Sequence, residues 1–137
     1  MNANADEFRL RKGKKMGQYH VLVNLDKKEI VNPDEIGLGV KQWEQFGDFA
    51  GSLADAMYLL CMTSPARGGG DLPRTAISGR WTGDRVVVLG DYTEDKDLPN
   101  EPDARNLYQK AAYWEDISFL VNEAFRAVYG KKLSEAR

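Results

Sequence analysis

Four consecutive apolar residues, Val86-Val87-Val88-Leu89, stand between Arg85 and the pair Gly90-Asp91. Successive side chains of a strand face opposite sides, so a run of this kind must bury both. It reads as a central strand covered on both faces, or as one covered once with Val87 and Leu89 under a loop. Either arrangement needs a sizeable core. The composition supplies it: 42 % of the 137 residues are apolar, with three Trp, six Tyr and five Phe, which excludes wholesale disorder. No apolar stretch approaches the ~20 residues of a membrane helix.

The rest of the chain arranges itself around that run. Tyr19, Val21, Val23 and Leu25 alternate with Gln18, His20, Leu22 and Asn24, which predicts a strand with one buried face. Asp26-Lys27-Lys28 is a polar turn, and Glu29-Ile30-Val31 returns as far as Asn32-Pro33, giving a hairpin. Residues 41–49 and 51–62 read as helices on the spacing of Trp43, Phe46, Leu53, Met57, Leu60 and Cys61. Ser52 is the expected N-cap of the second, with Asp55 favoured in its first turn. Residues 76–81 and 85–92 form a second expected hairpin about Thr82-Gly83-Asp84. Leu107, Ala111, Trp114, Val121, Phe125 and Val128 predict a C-terminal helix closing at Gly130, with a break near Glu115-Asp116 where Asp116 could cap a second segment. The expected fold is α+β: an antiparallel sheet built from two β-hairpins with helices packed on one face, in the order β-β-α-α-β-β-α.

Charge divides the chain unevenly. Residues 1–16 hold five basic and two acidic side chains, the remainder 14 basic and 19 acidic. Residues 1–15 therefore read as a basic, flexible extension before a single domain at 16–137. The acidic body disfavours nucleic acid, whose phosphates need clustered Lys and Arg. One cysteine, Cys61, and one histidine, His20, exclude an internal disulfide and the usual Cys/His zinc sites. No cofactor is expected, and a soluble cytoplasmic protein is the default.

Chemistry concentrates in two segments. Arg67-Gly68-Gly69-Gly70-Asp71 combines glycines, whose backbone N–H groups can approach an anion, with an arginine able to grip phosphate or carboxylate in a paired fashion. It lacks the Gly-Lys-Ser/Thr end of a Walker loop. The second segment, 79–92, carries Arg80, Trp81, Asp84, Arg85 and Asp91 between Gly79, Gly83 and Gly90. Arg80 or Arg85 would stand beside the glycine loop with Asp91 as partner, while Trp81 would line a site or an interface. The plainer alternative makes the Arg–Asp pairs surface salt bridges of small energy. His20 lies on the polar phase of its strand with no nucleophile in evidence.

Several motifs together, MGQYHVLVNLDKKEIVNP at 16–33, IGLGVKQWE at 36–44, RGGGD at 67–71, GRWTGDRVVVLGDY at 79–92 and EDIS at 115–118, resemble a family of small microbial proteins. The resemblance spans about residues 16–120 and implies no activity. Residues 1–15 precede that family's usual start.

Two functions are carried forward. One is a small interaction module without catalysis of its own, contacting a protein partner through Trp81, the turn 82–85 and the loop 67–71. An adaptor role in stress, immunity or phage-related settings would suit it by association alone. Self-association is compatible with this reading. The other is a nucleotide- or phosphometabolite-binding protein, or a hydrolase, in which Arg67, Gly68, Gly69, Gly70, Arg80 and Arg85 hold phosphate and Asp71 or Asp91 positions a metal or water.

Overall fold

The computed structural model describes residues 19–33, 51–65, 67–68 and 73–130. The extension at 1–15, the helix expected over 41–49, and Gly69, Gly70 and Asp71 lie outside the described residues. Among the described residues the architecture is α+β, with a mixed sheet of four strands. They are β1 (His20–Asn24), β2 (Glu29–Val31), β3 (Val86–Gly90) and β4 (Glu115–Asp116), in the order β3-β1-β2-β4. β1 pairs antiparallel with both β2 and β3, while the short β4 joins β2 in parallel. Among the described residues three α-helices accompany the sheet: α1 (Leu53–Cys61), α2 (Leu107–Ala111) and α3 (Ser118–Tyr129). Among the described residues no helix is long and apolar enough to cross a membrane.

The first hairpin forms as its alternation requires, closed by Asn24. The Asn24 side-chain oxygen accepts from the amides of Asp26 (2.9 Å) and Lys27 (2.8 Å), an Asx turn that sets the register Asn24↔Glu29. The expected single buried face is replaced by two. Leu22 and Val31 pack with Leu53, Leu60, Trp81, Val121 and Phe125 on one side. Val21, Val23, Ile30 and Leu89 pack with Leu107, Tyr108 and Ala111 on the other. Asn24, a polar member of the supposed outer phase, does not need water, because Asp84 and the amides of Asp26 and Lys27 satisfy its side chain. Helices therefore cover both faces rather than one.

The second hairpin is also replaced. β3 pairs with β1, and residues 76–81 are a series of turns. The cause is the C-terminus of α1, whose last carbonyls have no partner within the helix. The Leu59 carbonyl accepts from the Gly79 amide at 2.8 Å and the Leu60 carbonyl from the Trp81 amide at 2.7 Å. Ile77 and Trp81, four residues apart and both 0 % exposed, anchor the segment in the core. Gly79 holds a φ of +78°, and a Cβ there would stand 3.3 Å from the Met62 carbonyl oxygen, so only glycine fits without strain. β3 thereby becomes an edge strand of the described sheet, where its sequence reads as a central one.

Local signals set the helix ends. The Ser52 hydroxyl accepts from the Asp55 amide at 3.3 Å, and the Asp55 carboxylate accepts from the Gly51 amide at 2.5 Å. The C-terminal helical region does break near Asp116: its carboxylate accepts from the Ser118 amide at 2.9 Å and starts α3. Ser118 Oγ then accepts from the Asn32 amide at 2.8 Å, tying α3 to the end of β2. Gly130 ends α3 at φ +82°, donating to the Arg126 carbonyl at 2.8 Å.

Candidate binding surface

Arg80 and Trp81 project from the 76–81 turns onto the first residue of β2. Glu29 lies on the same sheet face as Val31, and its side chain is only 5 % exposed. It accepts from Arg80 Nε at 3.1 Å, from Arg80 Nη2 at 2.5 Å and from Trp81 Nε1 at 2.7 Å. The Arg80 hydrogen bonds hold the carboxyl below its ordinary range against the opposing effect of burial, and the indole N–H adds to them. Glu29 in turn pushes the Arg80 guanidinium up. Arg80 is thus matched in charge and geometry by an internal carboxylate, a fork-on-fork pair. Trp81 is 0 % exposed, so its ring cannot supply the contact surface expected of it: the ring fills the core and its one donor is used by Glu29.

Arg85 is engaged at the adjacent turn. Its amide and its Nε donate to the two Asp26 carboxylate oxygens, each at 2.8 Å, and Nη1 reaches Glu101 at 3.4 Å. The Arg85 amide, then its guanidinium, hold Asp26 below the ordinary carboxylate range. Asp84 accepts from Asn24 Nδ2 at 2.9 Å and pairs with Lys27, whose hydrogen bond holds its carboxyl below the ordinary range. These contacts fasten the 82–85 turn to the hairpin turn of β1 and β2.

Asp91 stands at the opposite end. In the β1–β3 ladder Val86 is opposite Asn24 and Gly90 opposite His20, so Asp91 and Arg85 are separated by the whole strand, about 20 Å. The structure does not bring Asp91 together with Arg80 and Arg85. Asp91 is 1 % exposed, and its Oδ1 accepts from the Tyr19 amide at 3.1 Å. Burial lowers the His20 pKa, with nearby Asp91 opposing the shift. A histidine kept neutral by the fold binds fewer protons than in the unfolded chain, so its contribution is complete above the ordinary value of 6.5 and is lost as pH falls toward the folded value. Thermal midpoints are expected to decline from pH 8 to pH 5, and His20→Gln to flatten that decline. Equal slopes for the two chains would contradict the assignment.

The glycine loop begins on the surface, with Arg67 and Gly68 both exposed. Just before it lies a cleft of about 500 Å³ lined by Tyr58, Cys61, Met62, Thr63 and Ser64. Thr82 Oγ1 donates to the Met62 carbonyl at 2.5 Å, so the 82–85 turn is joined to the wall of this cleft. Tyr58, 48 % exposed, stands over it from α1. Three residues earlier on α1, Asp55 accepts from the Tyr129 hydroxyl at 2.7 Å, which locks α1 to the end of α3. Burial, with Asp55 adding, pushes that phenol up to about 12. The Cys61 thiol is likewise pushed up, mainly by burial and further by Asp84, which keeps it protonated and unreactive at neutral pH.

Sequence reasoning missed Glu29 and Tyr58. Glu29 shares a strand phase with Val31, and Tyr58 is an aromatic outside the Leu53, Met57, Leu60 phase of its helix; both signals were present. Among the described residues no group of three His, Cys, Asp or Glu could hold a metal ion. Comparison with protein-family models, curated proteins and solved structures finds no match for this chain.

Proposed function

We propose that the protein is a cytoplasmic binding module that acts by contacting a protein partner, without catalysis of its own. The observation that carries this reading is the cleft beneath the half-exposed Tyr58. Its volume suits a side chain or short segment of a partner, and tyrosine is enriched where binding energy concentrates. Exposed Thr82, Gly83, Arg67 and Gly68 surround or adjoin it, so the contact region keeps the 82–85 turn and the start of the glycine loop while Tyr58 takes the place of Trp81.

The phosphate-handling alternative needs the guanidiniums of Arg80 and Arg85, and these face Glu29 and Asp26. Thermal unfolding against nucleotides, pyrophosphate, phosphosugars and divalent cations separates the two. A ligand at a hundred times its Kd adds about 2.7 kcal/mol, a rise of roughly 6–15 °C in midpoint at this size. No such rise is expected. A rise with a phosphorylated compound, abolished by Arg67→Ala, overturns the protein-contact reading.

A further inference from the structure

We draw no further inference here: the strongest candidate, the pocket of about 220 Å³ lined by Leu25, Val87, Leu98 and Pro99, carries nothing because the Arg85 guanidinium beside it is already held by Asp26 and Glu101 and nothing in the structure shows what covers its apolar wall.

Discussion

Glu29→Ala is expected to lower the free energy of unfolding by about 3–5 kcal/mol, the cost of breaking a buried ion pair from one side. The substitution removes the acceptor of the Trp81 indole N–H, which is fully buried, and leaves the Arg80 guanidinium without its carboxylate. Burial makes the loss large, because the Trp81 indole N–H cannot turn to water without disturbing the turns that cap α1. Glu29→Gln, which keeps an acceptor and loses the charge, should fall between the two. Arg85→Ala is the control: it breaks an ion pair whose guanidinium is 57 % exposed, and its midpoint should barely move. Urea unfolding measures all three as shifts in midpoint at unchanged slope. The sign with pH follows from the lowered Glu29 pKa. Its stabilisation is complete above the ordinary carboxyl value of 4.5 and disappears as pH falls through the lower folded value. A Glu29→Ala chain as stable as the parent would contradict the structural role given to Arg80.

Tyr108→Ala is expected to cost about 3 kcal/mol or more. Tyr108 sits on α2, a helix of five residues that is far too short to persist alone and is held by what it buries. The ring is 1 % exposed and packs in the cluster of Val21, Val23, Ile30 and Leu89. A sheet with helices on one face only would leave that side wet, and the substitution would then be nearly neutral. Phe119→Ala, at a position 60 % exposed on α3, supplies the comparison, with a change near zero. Equal, small effects at Tyr108 and Phe119 would show that the second face is not a packed core.

Local chemistry explains which elements were legible in the sequence. The β1–β2 hairpin, the Ser52 cap of α1, the break at Asp116 and the closing Gly130 each depend on residues within a few positions of one another. The 76–81 segment was not legible, because its path is set by the carbonyl groups of Leu59 and Leu60, some twenty residues earlier. β4 is two residues long and gains its place only by joining β2 in parallel. The same limit applies to the site. Arg80 and Arg85 stand out as arginines near glycines, yet their partners, Glu29 and Asp26, lie 51 and 59 positions away. Trp81 beside a turn suggests a surface residue, and only the tertiary packing reveals that it fills the core. The Val86–Leu89 run was correctly legible as needing cover on both faces, with Val86 and Val88 packed toward one cluster and Val87 and Leu89 toward the other. Its edge position came from the displacement of the second hairpin.

The central claim is that contact with a protein partner runs through the Tyr58 cleft. Photo-crosslinking tests it most directly, with p-benzoylphenylalanine placed at 58, 63 or 82 and, as the outlying control, at 119. The account predicts one adduct common to the three cleft positions and absent at 119, and a purified partner that binds the parent chain at least roughly tenfold more tightly than Tyr58→Arg, since a central aromatic commonly carries 1.4 kcal/mol or more. Adducts at 119 without any at the cleft positions, or equal affinity for Tyr58→Arg, would contradict it.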